Sequence, residues 1–379
     1  MTFDKDSYSA LLKLQTVCLK NNIPFVSYRL PLSHEIITLV QHHSMPQKLE
    51  SADNLQLKTG FVVSAFNNKA SNEMYFLQPD CVFFSNDIDG IYIEKLEANT
   101  RYSGVRKKQN SLTSTSFEEY TGNVNKAISA MKNAEFQKVV LSKVRVEKLA
   151  DNFQSETFFL KLCQKYPHAF VYIMQLPETG CWTGASPEPL LTVENDTVKT
   201  VSLAGTQVAT DADTDTYRWS SKEIDEQGIV TNYVEKTLRS LNIKGLTISA
   251  PFNYRAANLI HLKTAFEFPA SELKNRFSQL LSALHPTPSV GGLPKKEALG
   301  FITSNEKHDR SYYSGFLGPV NIGDSTQLFV NLRCIQLFDK EFVLYSGAGI
   351  TAASVAENEW IETDNKMLTM MNVMQPPTQ

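Results

Sequence analysis

Cysteine is scarce in this sequence: the five present, Cys18, Cys81, Cys163, Cys181 and Cys334, are odd in number and far apart, with no C-x-x-C pair. No histidine stands at zinc-finger spacing from them, which argues against a disulfide scaffold or a structural zinc module and points to a reducing compartment. Long apolar runs are missing as well. None approaches the ~18 residues that a membrane span requires, and the N-terminal MTFDKDSYSALLKLQ has no basic stretch leading into an apolar one. The chain is therefore read as cytoplasmic and soluble, with no membrane partner. Charge of one sign is lacking too: 37 basic residues against 40 acidic leave a net charge of −3. No global field favours a polyphosphate backbone, so nucleic acid is not expected as a partner. Repeats and low-complexity tracts are absent, which sets aside solenoids, propellers and linker arrays.

What is present is ordinary globular composition, 42% apolar and 10% aromatic over 379 residues, enough for a real core. Length alone would allow two or three domains of about 150 residues. Residues 1–114 hold short apolar runs such as Phe61-Val62-Val63 and Cys81-Val82-Phe83-Phe84, broken by Asn, Asp, Ser and Pro. They read as strands and carry no recognisable chemistry. From 115 onward strand-like runs recur at Val139–Leu141, Ala169–Met174, Leu190–Val193, Leu328–Arg333 and Phe342–Tyr345. Several alternate apolar and polar residues, which favours sheets packed on one face.

Helical patterns interleave with these runs. From Ser220 to Leu241, Ile224, Val230, Val234, Leu238 and Leu241 fall near one face, and Ser220 with Glu223 makes a capping box. A second helix is expected over Val355–Met371, opened by Ser354 and Glu357. Between them lies a Pro- and Gly-dense loop, Leu284–Pro294. Strands and helices mix without strict alternation, which argues for an α+β architecture of sheets with helices on their outer faces.

Three groups of residues could carry chemistry. Glu223 and Glu226 on one helix, and Glu359 and Glu362 on the other, are each three apart, so each helix can aim two carboxylates at one spot. Oxygen donors of this kind suit Mg²⁺, though first-turn glutamates also favour helix N-termini without any metal. Arg333, Gly347-Ala348-Gly349 after a strand, and Lys366 could grip an anion through a guanidinium and backbone N–H groups, or could equally form a tight turn with surface cations. Lys138, flanked by Val139, Val140 and Leu141, either snorkels outward or is buried with a lowered pKa and becomes a usable base; Glu188 lies in the nearby motif GASPEPLL. His261 and His285 beside apolar residues read first as core or loop histidines.

Taken in chain order, these segments resemble the chorismate-utilising family of isochorismate, salicylate, anthranilate and aminodeoxychorismate synthases. The matching pieces are KVVLSK at 138–143, GASPEPLL at 184–191, SLAGT at 202–206, SSKEIDEQGIV at 220–230, HLKT at 261–264, LHPTPSVGGLP at 284–294, ALGFI and HDRSYYSGFLG up to 318, NLRC at 331–334 and GAGITAASVAENEWIETDNK at 347–366. The resemblance implies one integrated unit, an anthranilate synthase-like chorismate-binding fold of two packed antiparallel sheets with helices outside. Residues 1–114 would complete the sheets, and 115–379 would form the chorismate-binding catalytic region.

For the site, the resemblance implies that Lys138 activates water for attack at C2 of chorismate and that Glu188 protonates the departing 4-hydroxyl. The lysine must then fall from a pKa near ~10.4 and the glutamate rise from ~4.3. Glu226 and Glu362 match direct Mg²⁺ ligands, with Glu223 and Glu359 acting through waters. Ala204, Gly205, Thr206, His261, Thr264, Tyr313, Arg333, Gly347, Ala348, Gly349 and Lys366 match the substrate-binding positions.

Lysine at 138 marks water-using members, and Ala204 replaces the lysine nucleophile common in the aminodeoxychorismate branch. Among the remaining activities, isochorismate synthase for menaquinone or siderophore synthesis leads. Salicylate synthase, which eliminates pyruvate in a second step, is the nearest alternative, with Ser289 and Tyr313 the positions that bear on it. An idle chorismate-binding subunit is a third. Gln227 departs from the histidine many members have after the metal-binding glutamate. The protein is read as a monomer or weak homodimer.

Overall fold

The computed structural model describes residues 8–66, 73–85, 87–99, 113–177, 180–208, 217–256, 259–274 and 276–374. The fold is α+β, built on two antiparallel sheets. The first has nine strands, in spatial order Gly292–Leu293 (β15), Lys138–Lys148 (β7), Glu341–Ile350 (β19), Cys334–Leu337 (β18), Gly180–Ser186 (β9), Phe170–Leu176 (β8), Phe25–Arg29 (β1), Ile37–Val40 (β2) and Cys81–Phe84 (β6). The second runs Thr247–Ile248 (β12), Leu259–Pro269 (β14), Thr197–Val208 (β11), Pro189–Glu194 (β10), Thr326–Val330 (β17), Phe316–Val320 (β16), Gly60–Ser64 (β4), Met74–Leu77 (β5) and Gln47–Leu49 (β3), with Phe252–Ala256 (β13) pairing β14 off this path. Residues before 115 enter both sheets: β1 pairs with β8, and β4 with β16.

The sheets pack face to face. Tyr172, Met174 and Trp182 of the first meet Phe61, Leu317 and Phe329 of the second, and the Phe170 and Phe329 rings lie nearly parallel at 4.3 Å. Because side chains alternate along a strand, Val171 and Ile173 of β8 point the other way. There they pack under helices Ser9–Lys20 (α1), Ser155–Lys165 (α4) and Ala356–Met374 (α8), through Leu14, Phe159, Leu162, Met367 and Met370. The outer face of the second sheet is covered by Ser221–Ser240 (α5) and Phe277–Leu284 (α6), through Val234, Leu238, Leu280 and Leu281. Gly90–Asn99 (α2), Phe117–Lys132 (α3) and Lys295–Asn305 (α7) complete the helices. Helical cover on both outsides buries the whole of β1 and β8, so one-face packing is the wrong expectation for the central strands.

Local signals match in part. The Ser220–Glu223 capping box forms at the head of α5. At α8 the hydroxyl of Ser354 instead accepts the Thr351 N–H at 3.1 Å. The run Leu328–Arg333 is not all strand: β17 stops at Val330, and Arg333 sits in a left-handed turn (φ 49°) where the chain crosses from the second sheet to the first.

Candidate active site

Lys138 opens β7, its side chain only 3% exposed, and Nζ lies 2.6 Å from Glu226 Oε1 on α5. The strand beside it supplies the room. Gly347, Ala348 and Gly349 lie within β19, opposite Ser142, Leu141 and Val140 of β7, so they form no anion-binding turn. Alternation sends Ala348 into the core under α3 and α7 and turns both glycines the other way. A Cβ at Gly349 would stand 3.1 Å from Lys138 Cε and 3.4 Å from Glu226 Oε1; one at Gly347 would stand 3.0 Å from the Tyr313 hydroxyl. The G-A-G pattern is therefore explained by close approach.

Glu188 sits where the chain passes from β9 of the first sheet to β10 of the second. Arg333 sits on the return crossing, and the two crossings touch: the Arg333 carbonyl accepts the Ala185 N–H at 3.0 Å, and the Glu188 carbonyl accepts the Val330 N–H at 2.9 Å. Burial pushes the Glu188 carboxyl up to about 7 against the opposing pull of Lys138, Arg333, Lys366 and the neighbouring Thr287 hydroxyl. A carboxylic acid in that range keeps a proton to give near neutrality. Burial works against the Arg333 charge, which Tyr313, Glu362 and Glu188 support. Its left-handed turn costs about 1 kcal/mol in a residue other than glycine. Among the described residues its guanidinium has no hydrogen-bond partner. Burial likewise pushes the Tyr313 phenol up to about 12, so it stays a neutral donor.

Lys366 reaches from α8 to the Gly347 carbonyl at 2.9 Å and pairs with Glu362 at 2.6 Å. The structure thus brings Lys138, Glu188, Glu226, Tyr313, Arg333, Gly347, Gly349, Glu362 and Lys366 into one neighbourhood.

The four glutamates are not gathered into a ready-made ligand cage. Glu223 closes its own capping box, Glu226 faces Lys138 and Glu362 faces Lys366, while Glu359 is buried. Among the described residues no three of them place ligand atoms within 4.8 Å of one another. Their chemistry nonetheless fits a hard divalent cation: all are carboxylates, Glu223 and Glu359 on the first turns of α5 and α8 and Glu226 and Glu362 one turn further on, and the missing Cβ of Gly349 keeps open the space beside Glu226.

The wall opposite is β14 with β11. His261 is buried across from Thr206 and Tyr254, and Thr264 is buried beside Gln227, whose Nε2 donates to the Ser202 carbonyl at 3.1 Å and approaches Thr264 Oγ1 at 3.4 Å. The strand slips register between Ala204 and Thr206, a bulge at Gly205; the side chains of Ala204, Gly205 and Thr206 lie outside the described residues. Ser289 is tied to β11, donating to the Leu203 carbonyl at 3.2 Å. Sequence reasoning missed Arg310 and Glu306, a fully buried pair beneath the site, although both lie in or beside the quoted HDRSYYSGFLG motif. A charged residue amid Tyr and Gly was the available signal.

Comparison with known proteins gives the family. The sequence profile described as "Chorismate binding enzyme" matches residues 56–375. This chain belongs to the chorismate binding enzymes. Among them it is similar to isochorismate synthase EntC of Escherichia coli (strain K12), 29% identical over 265 residues that cover 68% of this chain and 67% of that one. It is also similar to isochorismate synthase DhbC of Bacillus subtilis (strain 168), 26% identical over 269 residues and 68% of each chain. MenF, the menaquinone-specific isochorismate synthase of Escherichia coli, shares the fold with a TM-score of 0.77 at 21% identity, covering 99% of this chain and 92% of that one. Anthranilate synthase component I of Streptococcus pneumoniae TIGR4 shares it at a TM-score of 0.63 and 17% identity, over 92% and 90% of the two chains. Among the described residues no helix is long and apolar enough to cross a membrane.

Proposed function

We propose that this chorismate binding enzyme is an isochorismate synthase, an isomerase that moves the ring hydroxyl of chorismate from C4 to C2. Lys138, ion-paired with Glu226 at rest, acts once it has given up its own proton, and then takes a proton from a water attacking C2. Glu188 gives a proton to the 4-hydroxyl, which leaves as water while the ring double bonds shift. One water enters and one departs, so the reaction balances as an isomerisation and runs backward with the two roles exchanged. The observation that carries the reading is Glu188, whose burial holds its proton to about pH 7 within reach of the Lys138 charge. Arg333, Tyr313, Lys366 and the small β19 residues are proposed to hold the carboxylates of the substrate, and His261, Thr264 and the 204–206 bulge to border the ring.

Glu226 and Glu362, with Glu223 and Glu359, are the residues that would hold Mg²⁺. When bound, Mg²⁺ supplies positive charge against the ring carboxylate. The product would enter menaquinone or siderophore synthesis.

Product analysis by chromatography tests the reading. Purified protein with chorismate and Mg²⁺ is expected to give a chorismate–isochorismate mixture, and excess chelator to abolish it. Salicylate with pyruvate would move the protein to the salicylate branch. No turnover would leave a chorismate-binding subunit.

A further inference from the structure

A second constellation lies at the edge of the first sheet, on strands that carry none of the groups above. His42 and His43 follow β2, and Asp80 immediately precedes β6, whose Cys81 pairs with Val40 of β2. The register therefore brings two imidazoles and a carboxylate to one strand end. A ligand atom from each lies within 4.8 Å of the other two. Asp80 is already fixed in place: its Oδ2 accepts the His42 N–H at 2.6 Å and the His43 N–H at 2.9 Å. The two imidazole centroids are 4.0 Å apart, and the Tyr92 hydroxyl of α2 lies 3.3 Å from His42 Nδ1.

We propose that His42, His43 and Asp80 form a binding site for a borderline divalent transition-metal ion, Zn²⁺ being the type, separate from the glutamate site. Two imidazoles with one carboxylate suit such an ion, whereas Mg²⁺ prefers oxygen donors alone. The spacing fits. With metal–ligand bonds of ~2.0–2.2 Å, ligand atoms at neighbouring corners of a tetrahedron stand about 3.3–3.5 Å apart. His42 Nδ1 and Asp80 Oδ2 are separated by 3.4 Å. The imidazoles bind in their neutral form. Backbone anchoring of Asp80 lowers the ordering cost of closing the site. His43 and Asp80 face solvent, which leaves the remaining position to water. An ion there would pin the end of β2 to the start of β6, beside α2.

Co²⁺, which reports tetrahedral coordination by intense visible absorption, is the probe, added to full-length protein in excess Mg²⁺. One equivalent is expected to give that signal and to be displaced by Zn²⁺. His43→Ala and Asp80→Asn, at exposed positions, should weaken binding by more than about 10-fold with an unchanged circular dichroism spectrum, while Glu226→Gln leaves it intact. Equal binding by wild type and His43→Ala would overturn the proposal. So would a thiolate charge-transfer band, which would place the ion on a cysteine, or loss of the signal in Glu226→Gln alone.

Discussion

Glu226 Oε1 lies 2.6 Å from Lys138 Nζ, so a carboxylate assigned to the cation is also the counter-ion of the assigned base. Lys138 is almost fully buried and Glu226 about a quarter exposed, at 28%. Glu226→Gln would leave a buried ammonium without its charge partner. Removing one member of a buried pair costs ~3–5 kcal/mol, and the exposure of Glu226 reduces that to about 2–3 kcal/mol. Denaturant melts should show this loss, and adding Lys138→Met should restore most of it. If Glu226→Gln unfolds at the wild-type midpoint, the pair contributes nothing to stability. Chorismate turnover is expected to vanish in both variants.

Glu188 gives a pH dependence of definite sign. Its folded pKa is raised from 4.5 to about 7, so the protonated form is the one the fold favours. Its contribution is fully present below pH ~4.5, declines as pH rises to ~7, and above that leaves the fold about 3 kcal/mol poorer than with a neutral group. Glu188→Gln should therefore be more stable than wild type at pH 8 and not at pH 4.5. It should also lose roughly 100- to 10,000-fold in turnover. Wild-type turnover of chorismate should fall above about pH 7 as the acid form is lost. Parallel stability curves for the two proteins from pH 4.5 to 8 would contradict this account.

Ser289 is expected to be silent in the choice between products. Its hydroxyl is committed to the Leu203 carbonyl at 3.2 Å, holding the 284–294 loop against β11. Ser289→Ala should cost about 1 kcal/mol, the net worth of one hydrogen bond, and leave the product unchanged. Appearance of salicylate, or its loss from a wild-type product mixture, would show that this hydroxyl does reach the substrate.

How legible these features were depended on how local their cause is. The Ser220–Glu223 box needs four consecutive residues and could be read directly, yet the same reading could not tell that it would occupy the Glu223 carboxylate. Gly347 and Gly349 carried a genuine signal with two meanings. A turn and a close approach both demand glycine, and only the pairing of β19 with β7 decides between them. Arg333 read as strand because its neighbours are apolar, while its left-handed turn follows from the crossing between sheets. The first hundred residues yielded strands but no partners, since β1 pairs with a strand more than 140 residues away.

The buried pair under the site ties its two halves together. Arg310 is fully buried: Nε and Nη2 donate to Glu306 at 2.8 and 2.6 Å, Nη2 also donates to the Val140 carbonyl at 2.6 Å, and Nη1 to the Val290 carbonyl at 2.9 Å. Val140 is two residues from Lys138 on β7, and Val290 lies in the same loop as Thr287, which reaches Glu188. Glu306 completes the clamp by accepting the Ser142 N–H at 2.7 Å. Burial alone would raise the Glu306 carboxyl, but the Arg310 charge and hydrogen bonds hold it below its ordinary value. Its stabilisation is present above the ordinary carboxylate range and lost as pH falls through the lowered folded value. Lysine cannot reproduce the planar fork, so Arg310→Lys should keep the charge, lose at least one carbonyl contact and cost about 3 kcal/mol. Because the clamp sets the relation between base and acid without touching substrate, kcat should fall more than about 10-fold while KM changes little. An Arg310→Lys protein with a raised KM and native kcat would assign Arg310 to binding instead, and one with native kinetics but lower stability would make the clamp purely structural.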